Sequence, residues 1–522
     1  MTQRRRPIRT GPDAATHIGR AGPARLVLGV VAVGAVALGA LVGTVVARAL
    51  AAGRPRAASP ARHEASSPAR SLPLSAARPG SAERLSRMVR IPTVWLTSDD
   101  DPEPFERFEA LLAEEYPLVH SRLEREKITP FGILYRWRGL SESDPLVLMA
   151  HYDVVPAEPH DWADDPFSGA VRENAVWGRG TLDDKGHLLV VLEAVENLLA
   201  DGFTPAHDVY VSLGGNEERY GTAAQRIAAE FSRRDIRPWL VLDEGGAIID
   251  SPFPGITVPL AMVGVAEKGV ATIRLQTRGG GGHASAPPAV TATTRLSRAV
   301  LRLGTSPFAV ALPRPTHDML TGFAPISPFA YRLAFANMGL FSRPVARLLA
   351  ARGGETEAMT RTTVAVTMLE AGTAPNVLPA AASATLNVRI AIGETVDTVV
   401  TTLRAAIGDP AVEIVVLEES DPTPVSSSVN EQFALISEAV TASYPGTVSA
   451  PYVVNAATDS RHFHRFVPAV YRFSPFVMSA EQRASVHGVD EHVTIDSLER
   501  GERFVQTLIR SLPERRAAAA SE

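Results

Sequence analysis

The stretch LVLMAHYDVVP, residues 146–156, begins as an apolar run and ends with a histidine and an aspartate two positions apart. A short apolar run of this kind is typical of a strand that is buried on both faces of a sheet. Because residues i and i+2 of a strand point to the same side, His151 and Asp153 leave the strand end together. Such a pair fits a metal ligand with its orienting carboxylate, and it also fits a structural histidine beside a surface aspartate. The stretch therefore predicts a buried strand with polar groups at its carboxyl end.

Apolar runs and amphipathic stretches alternate after this strand, as in KGHLLVVLEAVENLLADG at 185–202 and DVYVSLGG at 208–215. This alternation predicts an α/β fold with a three-layer catalytic domain and a mostly parallel sheet, in which ligands bind at the carboxyl ends of the strands. From about residue 269 the strands alternate apolar and polar residues, as in ASATLNVRIAIG at 382–393. That pattern indicates an antiparallel sheet in a second, inserted α+β domain.

An uncharged apolar run, LVLGVVAVGAVALGALVGTVVA at 26–47, follows an arginine-rich N-terminus. It is long enough to span a bilayer as a helix, and the arginines favour an N-terminus held inside. We therefore predict a single-pass protein of the cell membrane with its catalytic domain outside; a cleaved signal peptide and a secreted protein are the alternative. The predicted segments are a basic cytoplasmic tail (1–25), a transmembrane signal anchor (26–47), a linker (48–80), the first part of the catalytic domain (81–267), the inserted domain (268–418), the second part of the catalytic domain (419–513) and a flexible tail (514–522).

The composition limits the sites that the chain can build. It contains no cysteine, so any metal must be held by His, Asp or Glu. The formal net charge is −5 although nine arginines fall within the first 56 residues, so the body of the chain is acidic. A nucleic acid is therefore not expected as a partner. The patterns H-E-x-x-H, G-x-S-x-G and Walker A are missing, which removes the main support for a zincin, a serine hydrolase or a nucleotide-binding protein.

Acidic residues and a further histidine recur in four motifs after apolar runs or tight turns. The motifs are WGRGTLDDKGH (177–187), GGNEERYG (214–221), VLDEGG (241–246) and VHGVDEH (486–492). Each one alone also fits a solvated loop or a capped helix start. Together with His151 they supply imidazole nitrogens and carboxylate oxygens, the ligand set expected for a pair of zinc ions that share a bridging carboxylate.

The order and the contexts of these motifs resemble a family of dinuclear zinc hydrolases, from about residue 81 to residue 512. The family includes aminoacylases, glutamate carboxypeptidase and succinyl-diaminopimelate desuccinylase. The chain is most similar to the carboxypeptidase S branch, which also contains N-fatty-acyl-amino-acid synthase/hydrolases. The resemblance implies two zinc ions, with other divalent metals possible, and an inserted domain that serves as a lid and dimerisation domain. It also implies a possible homodimer.

The resemblance also implies roles for individual residues. The metal ligands would be His151, Asp183, Glu218, His487 and either Asp243 or Glu244. Asp183 would bridge the two metals, Asp153 would orient His151, and Glu217 would act as the general base. Asp183 is expected to precede a cis peptide to Asp184.

In the inserted domain, the resemblance points to three substrate-directed residues. His283 of RGGGGHASAPP would polarise the scissile carbonyl, often across a dimer interface. Asn376 of APNVLP and Arg389 of NVRI would bind the substrate, and the planar guanidinium of Arg389 suits a carboxylate. The segment TDSRHF, residues 458–463, is also typical of the carboxypeptidase S branch, and its role is left open.

The predicted function is that of a zinc-dependent amidohydrolase or carboxypeptidase that cleaves an amide bond next to a free carboxylate. The substrate is a peptide C-terminus or an N-acyl amino acid. The alternative is a membrane-tethered binding protein that has kept the fold and lost catalysis. Residues 307–361 include an apolar helical segment that either packs as core or lines an acyl-chain channel, and we favour packing.

Overall fold

The computed structural model describes residues 41–53, 76–95, 102–219, 221–304 and 306–514. The strands in these ranges are β1 (Glu124–Ile128), β2 (Gly132–Trp137), β3 (Ser141–His151), β4 (Ala170–Arg172), β5 (Ala175–Trp177), β6 (His207–Gly214), β7 (Leu240–Asp243), β8 (Ile248–Ile249), β9 (Leu260–Glu267), β10 (Gly269–Arg278), β11 (Gly282–His283), β12 (Thr363–Glu370), β13 (Val377–Leu378), β14 (Ala381–Ile390), β15 (Val412–Ser420), β16 (Val448–Val454), β17 (Val470–Arg472) and β18 (His492–Thr494). The α-helices after residue 76 are α1 (Ser81–Val89), α2 (Glu103–Glu115), α3 (Pro117–Arg122), α4 (Lys185–Ala200), α5 (Ala223–Arg233), α6 (Ala292–Leu303), α7 (Arg314–Phe323), α8 (Phe329–Phe335), α9 (Met338–Arg352), α10 (Gly354–Ala358), α11 (Val396–Ile407), α12 (Glu431–Ser443), α13 (Ala480–Ser485) and α14 (Ile495–Arg510).

Within the described ranges, the larger sheet has nine strands in the order β1-β2-β6-β3-β7-β17-β9-β16, with β8 beside β9. Its centre is parallel, because β3 pairs with both β6 and β7, and β7 pairs with β17. The outer strands β1 and β2 run antiparallel to their neighbours. Parallel neighbours end at the same edge of a sheet, so the carboxyl ends of β3, β6 and β7 lie side by side.

Strand β3 shows why this sheet is covered on both faces. Its residues Leu146 and Leu148 belong to the core cluster that contains α4, whereas Val147 and Met149 belong to a second cluster that contains α5. Successive side chains of a strand point to opposite faces, so an uninterrupted apolar run is what a sheet between two helix layers requires. The result is a mixed α/β fold with helices on both sides of the sheet.

A second, smaller sheet is built from the middle of the chain. Its four strands follow the order β12-β14-β10-β15, and all of its pairs are antiparallel. Helices α6 and α11 cover one face and share a core with β10 and β14. Residues alternate between buried and partly exposed along β14, as expected for a sheet with one covered face.

Part of the apolar segment between residues 307 and 361, including α7, packs as core. Met319, Leu320 and Phe323 of α7 lie in one cluster with Met262 of β9 and Ala450 of β16. Helix α7 therefore packs at the β16 edge of the larger sheet. The apolar side chains of α7 are used in this cluster, which agrees with packing as core.

The prediction of a membrane-spanning helix at the N-terminus, and with it a single-pass location at the cell membrane, is wrong. No helix in the described ranges is long and apolar enough to cross a membrane. Residues 1–40, which contain most of the predicted anchor, lie outside the described residues. Residues 41–52 are helical and contact the protein: Ala49 is fully buried, and Asn337 Nδ2 donates to the Val45 carbonyl oxygen at 3.0 Å. Hydropathy and length alone suggested a lipid-facing helix, and they do not reveal such protein contacts.

A buried ion pair lies where the chain leaves the larger sheet for the smaller one. Arg472 of β17 donates through Nε to Glu267 Oε1 at 2.5 Å, and both side chains are almost fully buried. Glu267 also accepts the backbone N–H of Thr458 at 3.0 Å and the Thr458 hydroxyl at 2.8 Å. Its own backbone N–H donates to Thr423 Oγ1, which lies on the returning chain segment. The two chain crossings between the sheets are thus joined at Glu267.

Replacing Glu267 should destabilise the protein strongly. Glu267→Ala leaves the buried charge of Arg472 without its partner, and we expect the free energy of unfolding to fall by about 3–5 kcal/mol. Urea unfolding followed by tryptophan fluorescence measures this change. The control is Glu114→Ala, which removes an exposed partner of Arg87 and should change the free energy of unfolding little. Equal losses of unfolding free energy in the two variants would contradict a special stabilising role for the buried Glu267–Arg472 pair.

Candidate metal centre

The predicted site residues of the catalytic domain come from the carboxyl ends of three neighbouring strands and two connecting segments. His151 ends β3, and Glu217 and Glu218 follow β6 in a short 3-10 helix. Asp183 lies in the turn before α4, and His487 lies in the loop between α13 and β18. The parallel arrangement of β3, β6 and β7 thus brings together residues that are distant in the sequence.

Asp183 lies between the two imidazoles. Its Oδ1 is 2.9 Å from His151 Nε2, and its Oδ2 is 3.1 Å from His487 Nε2. Glu218 is on the far side of His487, with Oε2 3.0 Å from Nε2. Glu244 is on the far side of His151, with Oε1 3.5 Å from Nε2. The Nε2 atom of each imidazole therefore faces Asp183 and one further carboxylate.

Adjacent residues Asp243 and Glu244 have different surroundings. Asp243 ends β7 and accepts two backbone N–H groups, from Glu244 at 3.0 Å and from Ser460 at 2.8 Å. Its carboxylate is thus engaged in holding two loop segments, whereas Glu244 faces His151. Glu244, whose carboxylate lies 3.5 Å from His151 Nε2, is therefore the better placed candidate for a metal ligand.

Asp153 holds both the histidine and the acidic pair that follows β6. Its carboxylate accepts the backbone N–H of Glu217 at 3.1 Å and that of Glu218 at 3.0 Å. Its Oδ1 is 3.3 Å from His151 Nδ1, and its carbonyl oxygen is 3.1 Å from the same nitrogen. With Nδ1 directed at Asp153, Nε2 of His151 is directed at Asp183 and Glu244.

The electrostatics of this cluster reflect crowded, buried carboxylates. Burial, together with the nearby Asp183 carboxylate, raises the pKa of Glu244 to about 8. Burial and neighbouring carboxylates likewise raise the pKa of Glu217 well above its ordinary value. Hydrogen bonds to Asp183 and Glu218 raise the pKa of His487 to about 10. Burial and like charge thus disfavour the ionised forms of Glu217 and Glu244.

The donor set fits a divalent metal ion. Two groups of side chains could each hold an ion, because the ligand atoms within each group lie within 4.8 Å of one another. One group is His151, Glu217 and Glu244, and the other is His151, Asp183 and Glu218. Imidazole nitrogen and carboxylate oxygen are ligands that Zn²⁺ accepts, and a cation would offset the repulsion that raises the carboxylate pKa values.

A functional residue that the sequence analysis missed is Glu491, although its motif was singled out for His487. The Glu491 carboxylate accepts the backbone N–H of Leu182 at 2.7 Å and that of Asp183 at 3.1 Å. It also pairs with the buried Arg179 at 2.7 Å. Glu491 therefore fixes the turn that carries Asp183, and its position four residues after His487 was the available signal. The Asp183–Asp184 peptide in this turn is cis.

The three predicted residues of the inserted domain are not brought to this cluster. His283 is exposed on β11, where its Nδ1 is 2.7 Å from Ser285 Oγ. Asn376 is next to it, because its carbonyl oxygen accepts the backbone N–H of Ala284 at 3.0 Å. Arg389 lies on β14 and donates through Nε to Asn387 Oδ1 at 3.1 Å.

Comparison with known proteins identifies the family. The sequence pattern of peptidase family M20/M25/M40 matches residues 147–511 of the chain. The chain belongs to this family. As an M20 protein it is a hydrolase, and membership of this metallopeptidase family implies a divalent metal ion.

Two M20-related proteins show how far the similarity extends. The chain is 34% identical over 440 residues to the probable carboxypeptidase S-like 2 of Dictyostelium discoideum, and this match covers 82% of this chain and 84% of that protein. It is 35% identical over 437 residues to the N-fatty-acyl-amino acid synthase/hydrolase PM20D1 of Homo sapiens, and this match covers 82% of this chain and 87% of that protein.

The fold is shared with an M20 metallo-carboxypeptidase of known structure. The crystal structure of Sso-CP2 from Sulfolobus solfataricus matches with a TM-score of 0.62 at 17% sequence identity. The match covers 82% of this chain and 98% of that chain.

The contrast between Asp243 and Glu244 gives a test of the ligand set. We propose that Glu244 is the acid ligand beside His151. Glu244→Gln should then bind less zinc than the wild type, because a neutral amide replaces an anionic ligand, whereas Asp243→Asn should keep the wild-type content. Elemental analysis after dialysis at low free zinc, with circular dichroism as a check on folding, measures both. The reverse order of metal contents would assign the ligand to Asp243.

Proposed function

We propose that the protein is a zinc-dependent hydrolase of amide bonds that lie next to a free carboxylate. The observation that supports this most directly is the position of Asp183 between His151 and His487, with a further carboxylate beyond each imidazole. The names of the M20 relatives, a carboxypeptidase and an N-fatty-acyl-amino acid hydrolase, agree in the kind of bond. A peptide with a free C-terminus and an N-acyl amino acid both contain an amide bond whose amine side carries a carboxylate.

In this proposal, two zinc ions would each be held by one histidine and one acid, and Asp183 would contribute to both sites. His151 and Glu244 would hold one ion, and Glu218 and His487 the other. Bound zinc polarises a carbonyl and lowers the pKa of water. Asp153 contacts Nδ1 of His151 and so keeps Nε2 directed at Asp183 and Glu244.

Glu217 is the proposed general base. It is buried, and its backbone N–H donates to Asp153, which fixes the start of its side chain at the cluster. Burial raises the pKa of Glu217, and a more basic carboxylate is better suited to take a proton from water and to return it. The hydrolysis adds the water oxygen to the acyl carbon, the C–N bond breaks, and Glu217 passes the proton to the departing amine nitrogen.

The inserted domain completes the proposal. His283 would polarise the scissile carbonyl, and Asn376 and Arg389 would contact the substrate. None of the three contacts the metal cluster in the described chain, so these roles require movement of the smaller domain or a second copy of the chain. A homodimer is therefore part of the proposal, and strand β12 offers an exposed sheet edge for it.

Replacing the general base should separate catalysis from metal binding. Glu217→Gln keeps the side-chain shape and the backbone hydrogen bond to Asp153. We expect metal content and thermal stability close to wild type, with turnover reduced by about 100-fold or more. Steady-state hydrolysis, with metal analysis on the same sample, measures this. Wild-type-like turnover would remove Glu217 from the mechanism.

The substrate class is tested by comparing two series. One is a set of dipeptides with free C-termini, and the other is a set of N-acyl-leucines with acyl chains of increasing length. Because α7 packs as core on the larger sheet, we expect kcat/KM to depend little on acyl length beyond the first few carbons. A steep rise of kcat/KM with chain length would contradict this expectation, and hydrolysis of neither series by the zinc-loaded protein would overturn the proposed function.

A further inference from the structure

The segment TDSRHF, whose role the sequence left open, lies beside the metal cluster. It forms the start of a 3-10 helix, Asp459–Arg465, that follows Thr458. The Ser460 backbone N–H donates to Asp243 Oδ2 at 2.8 Å, which ties the helix to the end of β7. At the end of β6, a Cβ atom on Gly214 would lie only 2.5 Å from Asp459 Oδ2. The helix thus packs closely against the strand ends that carry the proposed site.

This packing places Arg461 next to the proposed general base. Arg461 Nη1 is 4.0 Å from Glu217 Oε1 and donates to the Thr458 carbonyl oxygen at 2.8 Å. The side chain is 8% exposed, so its position is set by packing. Across the described residues, no other arginine or lysine comes within 4.0 Å of the carboxylates of Asp183, Glu217, Glu218 or Glu244.

Space for a ligand is present at the same arginine. Arg461 lines a cavity of about 440 Å³, together with Asp397 at the start of α11 and with residues of the segment that follows β15, such as Asp421. Arg465 of the same 3-10 helix lines it as well. Arg461 therefore borders a cavity and is also close to the proposed general base.

We infer that Arg461 binds the free carboxylate of the substrate, which rests on the proposed function and deepens it. In a peptide C-terminus or an N-acyl amino acid, the carboxylate carbon is three bonds from the scissile carbonyl carbon, a separation of less than about 4 Å. The group that binds this carboxylate must therefore lie close to the general base, as Arg461 does. A guanidinium can donate two parallel hydrogen bonds to a carboxylate, which gives both affinity and orientation.

Arg461 differs from Arg389 in the domain that carries it. Arg461 is in the catalytic domain, so its distance to Glu217 does not depend on the position of the smaller domain. Arg389 lies on β14 of the smaller sheet and contacts Asn387. The carboxylate can thus be bound before the smaller domain closes over the substrate.

The test compares a free acid with its neutral analogue. The substrates are the N-acyl-leucine with the best acyl chain of the series above and the corresponding N-acyl-leucinamide, which has the same scissile bond. In Arg461→Met and in Arg461→Gln, kcat/KM for the free acid should fall by about 10- to 100-fold, because a charge-assisted contact is lost, while kcat/KM for the leucinamide should change little. Arg461→Gln keeps a donor for the Thr458 carbonyl and so protects the local fold.

The matched control is Arg233→Met, which removes an exposed guanidinium of α5 that does not line the cavity and should leave the ratio of the two kcat/KM values unchanged. Metal content and the thermal midpoint are measured on every variant. Equal losses on both substrates would overturn the inference, because Arg461 would then act on Glu217 or on the fold. The inference would also be overturned if Arg389→Met, and neither Arg461 variant, lost the preference for the free acid over the leucinamide. If the zinc-loaded wild type hydrolyses neither substrate, the proposed function fails, and the inference fails with it.

Discussion

The carboxylate of Asp183 is the contact on which the geometry of the candidate site depends. Its two oxygens face His151 at 2.9 Å and His487 at 3.1 Å, so one short side chain fixes the separation of two residues that are 336 positions apart. The second part of the catalytic domain must therefore return to the turn before α4. Glu491 secures this return, because its carboxylate accepts the backbone N–H groups of Leu182 and Asp183 and pairs with Arg179.

The same cluster opposes stability. Several carboxylates lie close together at the strand ends, and burial with mutual repulsion raises the pKa of Glu217 and of Glu244. The apolar packing around α4, which is buried along nearly its whole length, supplies the stabilisation that allows such a site to persist. Local repulsion in an otherwise well-packed domain is characteristic of a site that is completed by a cation or a substrate.

Much of the α/β fold could be predicted because β3 and α4 carry strong local patterns. The apolar run before His151 and the motifs after β6 and β7 end at strand termini, and parallel strands bring such termini together. The choice between Asp243 and Glu244 could not be predicted, because the side chains of adjacent residues point in different directions and the sequence does not show which of the two points at the metal cluster. The N-terminal run was misassigned because hydropathy does not reveal contacts with the rest of the protein, such as the hydrogen bond that the Val45 carbonyl oxygen accepts from Asn337.

The placement of Arg461 depends on packing between distant parts of the chain, and one buried carboxylate organises that packing. Glu267 pairs with Arg472 and accepts two hydrogen bonds from Thr458, the residue that precedes the Arg461 helix. Glu267 also lies one residue before Lys268, whose Nζ donates to the carbonyl oxygens of Ala358 and Arg361. The segment that carries Arg461 and the chain crossing to the smaller domain are thus anchored at the same point. A movement of the smaller domain about this crossing would leave Glu267 and Arg461 fixed relative to the strand ends, because their anchoring contacts lie within the catalytic domain.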